Sequence, residues 1–199
     1  NLLAVRVNNL WDAQLAPRAG EHHFSGGIYR NVRLVVTAPL HVAWYGTSVT
    51  TPQVSKESAT VNVKTEVVNT SGATKSATVQ TRIVDASGKT VAEMQSKQTV
   101  AAKATVVFDQ TSRRIGNPQL WSPEQPNLYT VQTTVLDDGK AVDDFTSPLG
   151  FRWFVWTADK GFFLNSEHRY LKGANVHQDH AGWGDAVVDN GFFRDVKQM

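Results

Sequence analysis

The sequence of 199 residues contains no cysteine, which excludes disulfide bonds and thiolate metal sites. It also lacks any apolar run near the roughly 18 residues that a membrane-spanning helix needs, and it lacks the charged start and short apolar core of a signal peptide. We therefore predict no membrane partner. The compartment stays open between periplasm and cytoplasm, because a sandwich of about 100 residues folds without covalent staples.

A marked excess of one charge is missing as well. The chain has 20 basic and 18 acidic residues, for a formal net charge of +2. Proteins that bind nucleic acid usually present a strong positive field, so nucleic acid is not predicted as a partner. What the chain does have is apolar material, at 41% hydrophobic residues, enough for one full domain and parts of others.

Short β-strand patterns follow one another from about residue 41 to residue 149. Turn signals separate them, including NTSG, DASGK and DDGK. About seven short strands in about 110 residues are typical of an immunoglobulin-like antiparallel β-sandwich, and so predict a mainly β fold. Without a disulfide between the sheets, packing alone must hold them together. The predicted core residues are Trp44, Val63, Val67, Ile83, Phe108 and Val131.

The first 40 residues carry two further strand patterns. Leu3, Val5 and Val7 alternate with polar residues, which is the period-2 signature of a half-buried strand. The segment 28–36, IYRNVRLVV, predicts a second strand that ends before Pro39. Two strands alone do not form a stable sheet in water, so these patterns predict the edge of a larger domain.

The last 50 residues have a different, aromatic character. The segment 160–170, KGFFLNSEHRY, predicts a hairpin with its turn near Asn165 and Ser166. The segment 170–176, YLKGANV, predicts a short strand, and 187–199 predicts the start of a helix. A strand followed by a helix is one eighth of a (β/α)₈ barrel and cannot close its ladder alone.

Four motifs occur in a fixed order along the chain. They are NLLAVRVNN with FSGGIYRNVRLVV, then LWSPEQPNLYTV, then LGFRWF with GFFLNSEHRYLKGAN, then HQDHAGWG. Together they resemble glycoside hydrolase family two, which contains β-galactosidases, β-glucuronidases and β-mannosidases. The run HQDHAGWGDA is most similar to a β-galactosidase branch.

This resemblance implies a layout of three parts. Residues 1–40 would be the C-terminal strands of a jelly-roll sugar-binding domain, and residues 41–149 the immunoglobulin-like sandwich. Residues 150–199 would be the start of a catalytic TIM barrel. The chain would then be an internal fragment of a retaining exo-β-glycosidase that hydrolyses terminal β-D-galactosides.

Retaining hydrolysis needs an acid and a carboxylate nucleophile about 5–5.5 Å apart. The resemblance implies that both are glutamates on later barrel strands, so we expect no catalytic residue in this chain and no hydrolysis by it alone. The acids of the sandwich are predicted at solvated strand or turn positions. They are Glu57, Glu66, Glu93 and Glu124.

The resemblance also implies that the chain supplies part of a sugar pocket. His177 would donate hydrogen bonds to sugar hydroxyls, with Asp179 close behind, and Trp183 would offer an aromatic face. Glu21 falls where the family often has an aspartate that reaches into the active site, although its side chain is one methylene longer. The alternative for His177 and Asp179 is a purely structural role in their loop, for Glu21 a solvated loop acid, and for Trp183 no contact with substrate.

Other side chains favour plainer roles. The group His177, Asp179 and His180 suggests a metal site, but the family motif explains it without one, and neither a metal nor a cofactor is predicted. Trp121 is predicted to pack in a turn with its neighbouring prolines. Arg30 and Arg152 are predicted to pair with acids or backbone carbonyls across domain boundaries.

Two alternative functions remain open at this stage. A carbohydrate-binding or adhesion module without hydrolase activity would share the sandwich architecture, since a fold does not determine a function. A structural linker without a ligand also describes the sandwich well. Oligomeric state is open, with a homo-oligomer as one alternative, and the apolar surface of FRWFVW and GFF, exposed without the barrel, would drive artificial association.

Overall fold

The computed structural model describes residues 31–174 continuously, together with residues 2–8, 10, 12, 14, 27 and 28. The chain divides into two compact units, residues 36–171 and residues 1–35 with 172–199. All strands of the described residues lie in the first unit. They are β1 (Leu40–Val54), β2 (Ser58–Asn69), β3 (Lys75–Val84), β4 (Thr90–Val100), β5 (Thr105–Thr111), β6 (Ile115–Gly116), β7 (Tyr129–Asp137), β8 (Lys140–Leu149), β9 (Phe154–Thr157), β10 (Gly161–Leu164) and β11 (Glu167–His168).

Two antiparallel sheets form the body of this unit. One has the order β1-β2-β5, with the short β6 also paired to β2, and the other has the order β4-β3-β7-β8. The strands alternate between buried and exposed residues, as in β7, where Tyr129, Val131 and Val135 are buried. Buried residues of both sheets pack into shared clusters. The prediction of a mainly β antiparallel sandwich is confirmed.

A layer of buried threonines divides the core into two apolar clusters. Three strands repeat one pattern, an aliphatic residue, a threonine two positions later and another aliphatic residue two positions after that. Val63, Ile83 and Val131 belong to one cluster, and Val67, Val79 and Val135 belong to the other. The threonines between them are at most 1% exposed; they are Thr65, Thr81 and Thr133.

These threonines differ in their hydrogen bonding. Thr81 donates its hydroxyl to Gln110 Oε1 at 2.6 Å, and Gln110 in turn donates to Val79 O at 3.0 Å and to Ser96 Oγ at 2.8 Å. The hydroxyl of Thr65 has no hydrogen-bond partner among the described residues. A buried polar group without a partner destabilises the fold, whereas a paired one is roughly neutral or favourable.

We therefore expect opposite effects from two valine substitutions. Thr65→Val is expected to raise the free energy of unfolding by about 1 kcal/mol, because it removes an unpaired buried hydroxyl. Thr81→Val is expected to lower it by about 1–3 kcal/mol, because it leaves Gln110 Oε1 buried without a donor. Urea unfolding followed by circular dichroism measures both values. A loss of stability in Thr65→Val equal to that in Thr81→Val would contradict the assignment.

One predicted core residue is wrong. Five of the six are buried, but Trp44 is 78% exposed. The register of β1 against β2 shifts between Val42 and Thr47, and within this bulge Tyr45 has a φ of 54°. A bulge turns the side chains on its strand away from the direction that strict alternation predicts, so Trp44 reaches solvent.

The flanking strands are not formed in the described residues. Residues 2–8 and 31–38 have no strand, and Leu3 is 78% and Val5 61% exposed. The short strand predicted over 170–176 is also absent from residues 170–174. An isolated strand pattern needs a neighbouring strand to accept its backbone hydrogen bonds, and alternation alone does not supply one. The helix predicted at 187–199 lies outside the described residues.

Candidate functional site

A small antiparallel sheet of three strands follows the sandwich, with the order β11-β10-β9, and is called the hairpin below. Its second turn has Asn165 at φ 51° and Ser166 at φ 69°, both in the left-handed region. Two-residue hairpin turns with two positive φ values match the right-handed twist of the flanking strands. The hairpin and its turn at Asn165 and Ser166, predicted from the sequence, are confirmed.

Asn165 attaches this hairpin to a turn of the sandwich. Its side chain is buried at 9% exposure and donates to Trp121 O at 3.0 Å. Its Oδ1 accepts from the Trp153 amide at 3.2 Å, and its own amide donates to Trp153 O at 2.9 Å. The sequence identifies Asn165 as a turn residue only. The one available signal for its second role is the choice of asparagine, which carries a donor and an acceptor that glycine lacks.

The sandwich turn that Asn165 contacts contains Trp121. Trp121 and Pro126 form an isolated β-bridge, and Ser122 donates its amide to Gln125 O at 2.9 Å, so the predicted packed turn is confirmed. The guanidinium carbon of Arg152 lies 4.5 Å from the centroid of the Trp121 ring. Arg152 was predicted to pair with acids or carbonyls; the contact that the structure shows is a cation–π contact instead. Arg30 lies outside the described residues.

A cleft of about 350 Å³ lies between this turn and the hairpin. Arg169 crosses it, with Nη1 2.6 Å from Glu124 Oε1 and Nη2 2.8 Å from Glu167 Oε2. The Arg169 amide also donates to Phe162 O at 2.9 Å. One guanidinium thus bridges a carboxylate of the sandwich and a carboxylate of the hairpin, with one nitrogen directed to each.

Glu124 and Glu167 place two carboxylates on one cleft, as in the catalytic pair of a glycosidase. The pKa of Glu124, however, is shifted in the wrong direction for a catalytic acid. A glycosidase acid needs a raised pKa in order to hold its proton. The pKa of Glu124 is lowered instead, first by its own backbone N–H, then by the Ser122 hydroxyl and the Arg169 guanidinium. Its side chain is also 58% exposed. We interpret Glu124, Arg169 and Glu167 as a structural clamp.

The other glutamates of the sandwich also lie at exposed positions. Glu57 lies in an exposed turn, where the Ser55 hydroxyl, and secondarily its own backbone N–H, lowers its pKa. Glu66 and Glu93 are exposed on strands. The prediction that these acids occupy solvated strand or turn positions is confirmed.

One face of the hairpin is an exposed aromatic surface. The rings of Trp156 and Phe162 are 4.8 Å apart, and those of Phe154 and Phe162 are 6.3 Å apart. Phe154 and Trp156 are both 62% exposed. An open groove of about 710 Å³ runs beside it and is lined in part by Tyr170 and Leu171. These rings therefore leave apolar surface exposed on the hairpin.

The predicted sugar-contacting residues all lie outside the described residues. They are His177, Asp179, Trp183 and Glu21. Among the residues with described positions, no group of three or more His, Asp or Glu side chains is arranged to hold a metal ion. The same residues include no helix long and apolar enough to cross a bilayer.

Comparison with known proteins identifies the family. Residues 41–152 match the family described as glycosyl hydrolases family 2. Over 188 residues, 94% of this chain, the sequence is 40% identical to a beta-galactosidase of Bacteroides ovatus. Over the whole chain it is 34% identical to a beta-glucuronidase of Bacteroides fragilis.

Solved structures give the same result. The crystal structure of a Bacteroides uniformis beta-glucuronidase superposes on 97% of this chain with a TM-score of 0.89 and 32% sequence identity. The chain covers 24% of that protein. It covers 21% of the Bacteroides ovatus relative and 29% of the Bacteroides fragilis relative, so it spans between a fifth and a third of the length of these proteins.

Proposed function

Because the chain belongs to the glycosyl hydrolases family 2, we propose that it is a non-catalytic part of a retaining exo-β-glycosidase. The observation that carries this proposal is the family match over residues 41–152, which lies on the sandwich and its junction with the hairpin. The relatives are named as glycosidases but are more than three times as long. We place the acid and the nucleophile in the part of the parent protein that this chain does not include.

For the substrate we propose terminal β-D-galactosides. Support comes from the 40% identity to a beta-galactosidase, compared with 34% for a beta-glucuronidase, and from the HQDHAGWGDA motif. We propose that His177 and Asp179 hydrogen-bond the sugar hydroxyls, and that Trp183 and Glu21 border the same pocket. Imidazole suits this role because one nitrogen donates and the other accepts.

The role proposed for the described residues is to position the pocket. Residues 1–40 would complete a jelly-roll domain, and residues 150–199 would begin the barrel, whose active site forms at the C-terminal ends of its strands. The Asn165 contacts and the Arg169 clamp fix the hairpin to the sandwich shortly before the chain reaches His177. These contacts hold the hairpin on the sandwich.

The proposal is tested by comparing this chain with its full-length parent on an aryl β-galactoside and an aryl β-glucuronide. We expect the parent to hydrolyse the galactoside and the chain alone to hydrolyse neither. In the parent, His177→Ala is expected to lower kcat/KM by about 10–100-fold, since each 1.4 kcal/mol of lost transition-state binding is tenfold.

His168→Ala is the matched control, because His168 is an exposed histidine of the hairpin and should leave kcat/KM unchanged. Hydrolysis by the chain alone would overturn its non-catalytic assignment. A parent that cleaves only the glucuronide would overturn the galactoside assignment and leave the family role intact.

A further inference from the structure

A pair of aromatic rings projects from the sandwich at a distance along the chain from the hairpin. Trp44 is 78% and Tyr45 89% exposed, and their ring centroids are 5.1 Å apart at an interplanar angle of 73°. Exposure of two large apolar rings to water has an unfavourable free energy, which a ligand that covers the rings would remove. Their perpendicular arrangement forms an open corner of two aromatic faces.

The backbone that presents these rings is strained and tightly fitted. Val42 pairs with Val67 and Thr47 with Thr65, so residues 43–46 of β1 bulge opposite the single residue Glu66. Tyr45 has a φ of 54°, and a Cβ on the buried Gly46 would lie 2.8 Å from both Cβ and O of Ala43. Strain of this kind costs of order 1–3 kcal/mol and concentrates at ligand-binding positions.

The size of the aromatic corner fits a small ligand better than a protein. A fully buried aromatic side chain covers about 150–250 Å², so the pair covers at most about 300–500 Å². A stable protein interface needs about 800 Å² on each partner. Val107, which pairs with Glu66, is 49% exposed and adds little to this area, and the other flanking residues are polar. They are Ser48, Lys64 and Glu66.

The charge around the corner disfavours an anionic ligand. Lys64 Nζ lies 3.5 Å from Asp109 Oδ2, so this lysine already has an anionic partner. Glu66 lies directly across from the bulge and is exposed, which makes its carboxylate an acceptor for hydroxyl groups. Glu66 has no ion-pair partner among the described residues, so its negative charge across from the bulge repels anionic sugars such as uronates.

From these observations we propose that Trp44 and Tyr45 form a surface binding site for a neutral oligosaccharide chain. The aliphatic C–H faces of pyranose rings pack on the two aromatic rings, and Glu66 accepts a hydroxyl hydrogen bond. The choice of a carbohydrate ligand rests on the proposed function, whereas the platform itself rests on the described geometry. Such a site holds a polymeric substrate near the parent enzyme.

Native affinity electrophoresis of the whole chain in gels that contain β-galactan or polygalacturonate tests this site. We expect the neutral polysaccharide to retard the wild-type chain, Trp44→Ala to weaken the affinity at least about tenfold, and Trp44→Tyr to keep most of it, because an aromatic face remains. Leu128→Ala is the control, an exposed apolar residue that precedes β7, and it should bind like wild type. Titration calorimetry with a galacto-oligosaccharide provides the affinities.

Three results would overturn the site: no retardation of the wild-type chain by the neutral polysaccharide, equal retardation of Trp44→Ala, or stronger binding of polygalacturonate. Size-exclusion chromatography adds a fourth, because a change of oligomeric state in Trp44→Ala would assign the corner to a protein contact. The measurement requires no hydrolysis. An inactive parent with a retarded chain would therefore overturn the proposed function alone, and an active parent with an unretarded chain would overturn this site alone.

Discussion

Replacing Phe108 with alanine is expected to lower the free energy of unfolding by about 3–5 kcal/mol. Phe108 lies on β5 with 0% exposure, in the apolar cluster that also contains Val67, Val79 and Val100. Removal of its ring takes away buried apolar area and leaves a cavity that the surrounding strands fill only in part, because both sheets are held by their ladders. A domain of this size has a total stability of only about 5–15 kcal/mol.

Trp44→Ala is the matched control for this prediction. Sequence alternation assigns both aromatic residues to the core, but Trp44 is 78% exposed, so its loss should change stability by no more than about 0.5 kcal/mol. Guanidinium unfolding curves of the two variants, recorded with wild type, give the comparison. A loss in Trp44→Ala as large as that in Phe108→Ala would mean that Trp44 is buried in solution.

Asn69→Ala is expected to lower the free energy of unfolding by about 2–4 kcal/mol. Asn69 ends β2 and is fully buried, and its amide nitrogen donates to three carbonyl oxygens at 2.8–3.1 Å, those of Ala73, Val100 and Ala101. Its Oδ1 accepts from the amide and the hydroxyl of Ser71. Alanine leaves these buried or half-buried groups without partners, and each of them has lost its water on folding.

Ser71→Ala separates the turn from the buried amide. This variant keeps the three donations of Asn69 and loses the contacts of the Ser71 hydroxyl with Asn69 Oδ1 at 2.6 Å and with the O and N of the exposed Ala73 at 3.0 and 3.4 Å, so its expected loss is about 0.5–1.5 kcal/mol. Thermal and urea unfolding of both variants measure the difference. Equal losses in the two variants would show that the turn, and not the carbonyl contacts of Asn69, determines the stability.

Period-2 alternation predicted the sandwich and most of its core. Val63, Val67 and Val131 sit at alternating positions of regular strands, and each is buried where the pattern places it. Trp44 fails the same rule because four residues of β1 oppose one residue of β2, and a bulge shifts side chains without leaving a signature in hydrophobicity. NTSG was recognised as a turn, but the burial of Asn69 depends on carbonyls of a distant strand end.

The sequence likewise predicted some features of the candidate site and missed others. The motifs identified the family because they preserve residue type and order, and the hairpin turn followed from the asparagine and serine. The Arg169 clamp was missed because Glu124 is 45 positions away and no local pattern pairs them. The assignments of His177, Asp179, Trp183 and Glu21 stay predictions, since they rest on resemblance and lie outside the described residues.

The threonine layer gives the sandwich a means of fixing its strand alignment. A slip of one residue would expose the apolar side chains, but a slip of two would keep them inward and is not penalised by alternation. Here a two-residue slip would set Thr81 against aliphatic neighbours and remove the donor of Gln110. The hydroxyl layer therefore favours the native strand register over a register that is shifted by two residues.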